Sequence, residues 1–281
     1  MKPTGSVNVE IIATGDELLY GRILDTNSHW LAQRVAEMGA KLRRVTMIGD
    51  EPETIAEALH DALKRDAHFI IFSGGLGPSE DDLTVDSIGE ALGRRTVINE
   101  EGAEKIRAVY RQRGITDEDY HSRGVRMARV LEGSTPMNNP VGFAVGMCVE
   151  EAGKKICTLP GVPSEMRGMF DAHVAPMIEG TATSVFLART YDVTMVWKEF
   201  FPLYRQMQRD YPDMYIKNAA TPPVEGEDRD KVHTIKVDFV LEAPTLEAAE
   251  AKMSEFLEDY RSRMEAAGGG RMDPIDAGNR S

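Results

Sequence analysis

A glycine-rich segment followed at once by acidic residues is the part of this chain best suited to chemistry. It consists of Ser73, Gly74, Gly75, Leu76, Gly77, Pro78, Ser79, Glu80, Asp81 and Asp82. Glycines let the backbone turn sharply, and successive N–H groups in such a turn form a concave site for an anion. Carboxylates bind hard divalent cations, which a phosphate can share. The segment therefore predicts a site for a phosphate-bearing ligand and a metal ion.

The acidic part of this segment also has a plain structural interpretation, because a run of charges usually forms a solvated surface. Three adjacent carboxylates, however, repel one another unless a cation or a spread-out geometry relieves them. We therefore expect a function for at least one of them, Asp82 above all. Thr84 follows closely and could cap a helix over residues 84–93.

Two further polar loops follow predicted strands. They comprise Thr14, Gly15 and Asp16 after the apolar run 7–13, and Asp50 after the run 42–48. Loops at the carboxyl edge of a parallel sheet can face each other across a cleft. Both loops also have a structural alternative. Gly-Asp is common in strand-to-helix turns, and Asp50 could cap the helix that Pro52 begins.

A fourth loop, rich in proline, follows a later apolar run. Its candidate residues are Pro160, Gly161, Pro163 and Glu165. Two prolines around a glycine make a stiff loop. Such a loop either shapes one wall of a pocket or only connects a strand to a helix.

Hydrophobic periodicity predicts the elements that would position these loops. Apolar runs and helical spacing alternate as strand, helix, strand, helix, strand over residues 7–72. This order predicts an α/β fold with a doubly wound, mostly parallel sheet and with ligands at the carboxyl ends of its strands. The predicted strands are 7–13, 42–48 and 68–72, and the predicted helices are 26–38 and one that begins at residue 52.

Capping and turn signals predict the rest of this first domain, which we assign to residues 6–180. The predictions are helices 84–93, 100–113 (capped by Asn99), one capped by Thr116, and 163–180, with a hairpin of runs 143–149 and 156–159. If Ala152 and Gly153 form the hairpin turn, Cys148 and Cys157 lie opposite each other. We expect two reduced core cysteines rather than a redox pair.

The composition changes at residues 180–183, and a small α+β domain is predicted over residues 184–265. It comprises strand 184–196, helix 198–209, strands 214–219 and 232–241, and helix 245–264. A polar, mobile loop is expected at residues 221–231. A flexible tail is expected over residues 266–281, where three glycines follow one another.

Composition and charge limit the possible partners. The 281 residues carry a net charge of -13, which argues against a nucleic-acid or anionic-membrane surface. The two cysteines do not form a disulfide framework, and the six histidines lack the spacing of a zinc site. No apolar run is long enough to span a bilayer, and the amino terminus lacks the apolar region of a secretory signal. We therefore expect a cytoplasmic protein.

Five motifs together resemble the molybdopterin-binding (MoaB/Mog-like) domain family. They are Thr14-Gly15-Asp16-Glu17-Leu18; Gly21 with Asp25-Thr26-Asn27; Gly49-Asp50; Gly74-Gly75-Leu76-Gly77-Pro78 through Asp82-Leu83-Thr84; and Leu159-Pro160-Gly161-Val162-Pro163 with Glu165-Met166. Within that family the segment 6–180 is most similar to the N-terminal part of the competence/damage-inducible CinA proteins. The second domain resembles their small KH-like module by element order only. Full-length relatives add a C-terminal amidase domain, which we expect this chain to lack.

The resemblance implies an activity and a set of roles. In the molybdenum-cofactor branch, the residues matching Asp50 and Asp82 lie at the pterin phosphate site. In the CinA branch, it implies divalent-metal-dependent hydrolysis of the pyrophosphate in ADP-ribose or a related nucleotide. Asp16, Asp50 and Asp82 would then hold the cation (Mg, Mn or Co), and Glu80 or Asp81 would be a further ligand or the base. The N–H groups of Gly15 and of Gly74 to Gly77 would bind phosphate.

Other functions stay open at this point. One is a non-catalytic protein that binds molybdopterin or a nucleotide, and another is an adenylyltransferase-like enzyme of molybdenum-cofactor biosynthesis. Phe143 and Val145 stand where the family usually has threonine and proline, which leaves the substrate open. The resemblance also implies a homo-oligomer.

Overall fold

The computed structural model describes residues 7–181, 184–219 and 230–275. The chain divides into two compact units, Met1–Thr183 and Ser184–Ser281. Within the described ranges, none of the helices has the length and apolar character needed to cross a membrane. Residues 221–229, most of the loop expected to be mobile, lie outside the described residues.

The first unit alternates strands and helices along most of its length. In chain order the elements are β1 (Val7–Thr14), α1 (Asp16–Leu19), α2 (Thr26–Glu37), β2 (Ala40–Ile48), α3 (Pro52–Lys64), β3 (Phe69–Ser73), α4 (Thr84–Leu92), β4 (Thr96–Ile98), α5 (Glu100–Gln112), α6 (Glu118–Val125), β5 (Arg129–Leu131), β6 (Thr135–Met137), β7 (Gly146–Glu151), β8 (Lys154–Leu159), α7 (Pro163–Met169) and α8 (Ala175–Glu179).

A six-stranded sheet in the order β2-β1-β3-β8-β7-β6 forms the centre of this unit. The pairs β1–β2, β1–β3 and β3–β8 are parallel, whereas β7 runs antiparallel to both β8 and β6. The predicted α/β class with a doubly wound, mostly parallel sheet is therefore confirmed. A separate antiparallel pair, β4–β5, was not predicted, because strands of three residues carry too little periodicity to recognise.

Both faces of the sheet are buried. Ile70 and Phe72 of β3 join one core cluster, together with residues of α3, α4 and α5. Phe69 and Ile71 alternate with them and join a second cluster with residues of α2, α7 and α8. Successive side chains of a strand point to opposite faces, so a run of consecutive apolar residues is what a sheet covered on both sides requires.

Two helix predictions in this unit need correction. Asp117, not Thr116, caps α6, since its carboxylate accepts a hydrogen bond from the N–H of Tyr120 at 2.8 Å. The helix predicted over 163–180 is interrupted by a π-helical turn, Phe170–Val174, between α7 and α8. Pro176 has no N–H to donate to the carbonyl four residues earlier, so the regular α-helical ladder cannot continue there.

The hairpin of β7 and β8 has the predicted turn. Ala152 and Gly153 both have positive φ angles, 48° and 76°, as a tight two-residue hairpin turn requires. Cys148 accordingly lies opposite Cys157. Both cysteines are free and buried, as predicted.

The second unit is an antiparallel sheet covered by helices. Its elements are β9 (Val185–Val196), α9 (Trp197–Asp210), β10 (Met214–Asn218), β11 (Val232–Ala243), α10 (Leu246–Ala266) and β12 (Gly270–Ile275). The strand order is β10-β11-β9-β12, and α9 and α10 share one core with the sheet. The flexible tail predicted over 266–281 is wrong for residues 270–275, because β12 pairs with β9. Residues 276–281 lie outside the described residues.

Candidate functional site

Four loops meet at the carboxyl edge of the parallel strands and line a cleft of about 580 Å³. They follow β1, β2, β3 and β8, whose ends are level in the sheet. Thr14 pairs with Ile48, Ala13 with Ser73, and Ser73 with Leu159. Level strand ends bring the four predicted loops together, because each chain leaves the sheet at the same edge.

The cleft contains most of the predicted site residues. Those that line it are Thr14, Gly15, Asp50, Ser73, Gly74, Gly75, Leu76, Gly77, Pro78, Ser79, Asp81, Asp82, Pro160, Gly161, Pro163 and Glu165. Three predicted residues do not line the cleft. Asp16 and Thr84 form hydrogen bonds with the backbone of the loops, and Glu80 lines a neighbouring cavity.

The glycine loop offers some N–H groups to the cleft and uses others within the sheet. Gly74 donates to the carbonyl of Leu159 at 3.0 Å, and Gly15 donates to that of Ile48 at 3.1 Å. Those two groups therefore extend the sheet, and the expectation that they bind phosphate does not hold for them. The N–H groups of Gly75, Leu76 and Gly77 have no protein acceptor among the described residues. They remain for a ligand.

Thr84 fixes the conformation of this loop. Its Oγ1 donates to the carbonyl of Gly74 at 3.0 Å and lies 3.3 Å from Oγ1 of Thr14. Its N–H donates to the carbonyl of Gly75 at 3.3 Å. Thr84 is fully buried and begins α4 without capping it, so the predicted capping role is wrong. Its side chain instead stabilises the glycine turn through the hydrogen bond to Gly74.

Replacing Gly75 by alanine should be costly for two separate reasons. Gly75 has a φ of 66°, and an added Cβ would lie 2.1 Å from Oγ1 of Thr84. Gly93 has nearly the same φ, 63°, but open space around it. We expect Gly93→Ala to lower the free energy of unfolding by about 1–2 kcal/mol from backbone strain alone. Gly75→Ala should cost about 1–3 kcal/mol more from the steric clash.

Guanidinium unfolding of the two full-length variants measures this difference. Because the strained φ is shared, Gly93→Ala is the matched control for Gly75→Ala. Equal destabilisation by the two substitutions would show that Thr84 does not pack against the glycine turn as described.

Asp82 is oriented by the loop it follows. One of its carboxylate oxygens accepts a hydrogen bond from the N–H of Ser79 at 2.8 Å. An added Cβ on Gly77 would lie 2.4 Å from the same carboxylate, so only glycine allows this close approach. Asp82 lines the cleft, and no hydrogen bond from the described residues reaches its second carboxylate oxygen. A carboxylate fixed in this way is ready to bind a cation without first being ordered.

Asp50 and Asp16 hold the loops after β1 and β2 together. The carboxylate of Asp50 accepts from the N–H of Asp16 at 3.0 Å, and the carboxylate of Asp16 accepts from the N–H of Asp50 at 3.4 Å. Asp50 does not cap α3, whose N-cap residue is Glu51 without a side-chain cap. The structural alternative for Asp50 is therefore wrong, although its carboxylate does satisfy the amino end of α1.

The environment of Asp50 disfavours its charge. Burial raises the pKa of its carboxyl group above the ordinary value, and the nearby carboxylates of Asp16, Glu17 and Asp81 raise the pKa further. The hydrogen bond from the Asp16 N–H opposes this shift in part. Acids gathered in this way destabilise one another until a cation or a proton joins them.

The described part of the chain does not assemble a complete set of metal ligands on its own. Across the ranges 7–181, 184–219 and 230–275, no group of three acidic, histidine or cysteine side chains is arranged to hold a metal ion. Asp86, also in the acidic run, pairs with Arg129 instead. Mg²⁺, however, is commonly bound by only one or two carboxylates, and substrate phosphates and water complete its shell. The donor set of Asp50 and Asp82 fits an ion that arrives with a phosphate.

Asn27 is a cleft residue that the site predictions did not include. Its Nδ2 donates to the carbonyl of Gly161 at 2.8 Å and to Oγ of Ser73 at 3.1 Å, which joins the loops after β8 and β3. Its Oδ1 is buried, and none of the described residues donates to it. A buried acceptor without a partner is costly, so this oxygen suits a ligand N–H or O–H group. The sequence signal that could have identified Asn27 as a site residue is its place in the Asp25-Thr26-Asn27 motif.

Asn139 positions Glu165 at the cleft. Its Nδ2 donates to Oε2 of Glu165 at 2.6 Å, and its Oδ1 accepts from the N–H groups of Val141 and Gly142 at 2.9 and 2.7 Å. Lys105 Nζ closes the same turn by donating to the carbonyls of Asn139 and Gly142, each at 2.8 Å. The contacts of Glu165 and Lys105 with this turn join residues 26 to 37 positions apart, which no local pattern could predict.

The two residues that depart from the family pattern, Phe143 and Val145, do not line the cleft. Val145 is buried in the core, and Phe143 packs against the same core cluster. Ala144, between them, lines the cleft. The two departures therefore alter the core packing next to the cleft and not the residues that line it.

Comparison with known proteins gives consistent matches to this part of the chain. A family model described as "Probable molybdopterin binding domain" matches residues 10–180. A protein of Aeropyrum pernix is 36% identical over 262 residues, which cover 92% of this chain and 94% of that protein. A CinA-like protein of Dictyoglomus thermophilum is 32% identical over 255 residues, which cover 91% of this chain and 59% of that protein.

A solved structure is also similar to this chain. The crystal structure of the protein CinA, described as having unknown function, from Thermoplasma acidophilum aligns with a TM-score of 0.55 and 31% identity. The alignment covers 61% of this chain and 98% of that one.

Proposed function

We propose that this chain, which belongs to the molybdopterin-binding domain family and is CinA-like, hydrolyses a nucleotide pyrophosphate in its cleft. The proposed substrate class is ADP-ribose or a related nucleotide, and the reaction needs a divalent cation such as Mg, Mn or Co. The reaction adds water across the bridging P–O bond and releases AMP and ribose phosphate.

One observation carries the proposal: the cleft combines N–H groups that lack an acceptor with carboxylates that repel one another. The amides of Gly75 to Gly77 favour an anion, whereas Asp50, Asp81 and Asp82 would repel one. The two sets are compatible only when a cation lies between the phosphate and the acids. A metal-bound pyrophosphate satisfies both.

Asp50 and Asp82 would hold the cation, which supplies charge neutralisation at the phosphate and a lower pKa for the attacking water. Both carboxylates are held in place by backbone N–H groups, Asp50 by Asp16 and Asp82 by Ser79. The chain thus fixes both ligands before substrate arrives. Fixed ligands spare the reorganisation that mobile side chains would need during the reaction.

Asp81 is the acid best placed to accept the proton of the attacking water. It lines the cleft, its carboxylate influences the pKa of Asp50, and none of the described residues hydrogen-bonds to it. Glu80, the other acid expected for this role, faces the neighbouring cavity. Water attack on one phosphorus would pass a proton to Asp81 while the bridging oxygen leaves with the other phosphate.

A second candidate function is binding of a molybdopterin or nucleotide without turnover. It is favoured by the lack of a ready three-ligand metal group among the described residues. The apolar wall formed by Leu18, Ile23 and Leu24 would accept the flat ring of either ligand. An adenylyltransferase-like activity would require the pterin and ATP together.

The test is release of AMP from ADP-ribose by the purified full chain. We expect turnover with Mg, Mn or Co that disappears when EDTA removes the cation. A folded protein that is stabilised by ADP-ribose or by a pterin, yet releases no AMP with any of the three metals, would favour the binding function. A requirement for ATP and pterin together would favour the transferase.

We also propose a cytoplasmic location and a homo-oligomeric assembly. Cys148 and Cys157 face each other yet remain unbridged, which suits the reducing cytoplasm. A homo-oligomer stays the expectation from the family resemblance, and light scattering of the purified chain measures it directly.

A further inference from the structure

A second cavity of about 470 Å³ lies beside the cleft. Pro78 and Ser79 line both, so the tip of the glycine loop is the ridge that separates the two. The remaining residues of the second cavity are Glu80, Tyr110, Asp119, Tyr120, Arg123, Gly124 and Arg126. A ligand whose phosphates lie on the glycine loop can therefore extend to either side of this ridge.

Arg126 gives the second cavity a cation with unused hydrogen-bonding capacity. Its Nε is buried and has no acceptor among the described residues. Its Nη2 lies 3.5 Å from the carbonyl of Glu80, at the outer limit of a hydrogen bond. Arg123, beside it, is paired with Asp119, whereas none of the described carboxylates pairs with Arg126. A guanidinium in this state suits a phosphate oxygen, to which it can donate two hydrogen bonds.

Tyr120 gives the same cavity an aromatic surface. Tyr120 is 50% exposed, so its side chain is accessible to a ligand. Tyr110 supports it from one side, with ring centroids 5.2 Å apart and the planes tilted by 51°. Aromatic side chains of this kind stack on the faces of nucleobases without distinguishing strongly among them.

We propose that the second cavity binds the second nucleoside of a substrate with two nucleosides joined through a pyrophosphate. One nucleoside occupies the cleft, the pyrophosphate crosses the ridge of Pro78 and Ser79, Arg126 binds a phosphate oxygen, and the second base stacks on Tyr120. The inference rests on the proposed function and narrows its substrate class. ADP-ribose has the pyrophosphate but lacks the second nucleobase, so it would be the poorer ligand.

Binding of three ligands tests this inference without any turnover. The probes are methylene-bridged diadenosine pyrophosphate, methylene-bridged ADP-ribose and AMP, each measured by calorimetry with Mg²⁺. The methylene group replaces the bridging oxygen, so hydrolysis cannot cleave the link between the two phosphorus atoms. For the wild-type chain we expect the two-nucleoside analogue to bind about tenfold more tightly than the ADP-ribose analogue, the effect of one stacked base.

Two variants assign this difference to the second cavity. Tyr120→Ala should abolish the tenfold advantage and leave the affinity for AMP unchanged. Arg126→Gln should weaken both bridged analogues and also spare AMP. Tyr215→Ala is the matched control, because Tyr215 is a similarly exposed tyrosine, 59%, on β10 of the second unit. It should bind all three ligands as the wild type does.

The outcomes separate this inference from the proposed function. Equal affinities of the two bridged analogues, or an advantage that survives Tyr120→Ala, would overturn the second nucleoside site even if ADP-ribose is hydrolysed. The expected preference together with a failure to release AMP would support the site and count against the hydrolase.

Discussion

Replacing Asp82 by asparagine is expected to lower kcat for ADP-ribose hydrolysis by about 100- to 1,000-fold, the usual effect of losing one preorganised electrostatic group. Asparagine keeps an oxygen that can accept the hydrogen bond from the Ser79 N–H, now 2.8 Å from the carboxylate. It removes the negative charge that a cation needs. The melting temperature should therefore change little while turnover falls.

The matched control for Asp82→Asn is Glu90→Gln. Glu90 is an exposed acid on α4, the helix that follows the glycine loop, and it lines neither cavity. The same loss of one negative charge there should leave turnover at the wild-type level. A stable Asp82→Asn protein with full activity would contradict the role given to Asp82.

The second large effect is on stability and concerns the ion pair between Glu10 and Arg65. Glu10 on β1 is only 3% exposed, and Arg65 donates to both of its oxygens, at 2.8 and 2.7 Å. Arg65→Ala would leave a buried carboxylate without its cation. We expect the free energy of unfolding to fall by about 3–5 kcal/mol, as for other buried pairs that lose one partner.

Chemical unfolding of the full chain measures this effect, with Arg95→Ala as the control. Arg95 and Glu132 form a similar two-contact pair, but their side chains are 77% and 55% exposed. An exposed pair contributes only about 0–1 kcal/mol. An equal loss in the free energy of unfolding for both substitutions would contradict the claim that burial of Glu10 makes its ion pair with Arg65 strongly stabilising.

The sequence predicted where the cleft would form, because that depends on local patterns. Consecutive apolar residues marked the buried strands, and a glycine or acid after each strand marked the loops. Level parallel strands then bring such loops to one edge, whatever the details of packing. The sequence alone therefore assigns Asp50 and the glycine segment to one site.

The direction of each side chain within the loops could not be predicted in the same way. Glu80 and Asp81 are neighbours, yet only Asp81 lines the cleft. A loop has no fixed period, so sequence spacing does not say which side of it a residue faces. Asn27 and Arg126 reach the site through contacts far apart in sequence, for which a single sequence gives no signal.

The strand β12 shows how local signals can mislead. Three glycines precede most of it and Pro274 lies inside it, both of which disfavour a strand. It forms nonetheless because it is at the edge of its sheet, where proline is tolerated and a long partner strand, β9, supplies the pairing. Edge position depends on tertiary structure and leaves no mark on the local sequence.

The most direct test of the proposed site is a crystal structure of the full chain with methylene-bridged ADP-ribose and Mn²⁺. Anomalous scattering locates the manganese independently of the ligand. We expect the bridged phosphates against the N–H groups of Gly75 to Gly77 and manganese between them and the carboxylates of Asp50 and Asp82. A ligand bound elsewhere, or phosphates in the cleft without manganese beside those two acids, would contradict a metal-dependent pyrophosphatase.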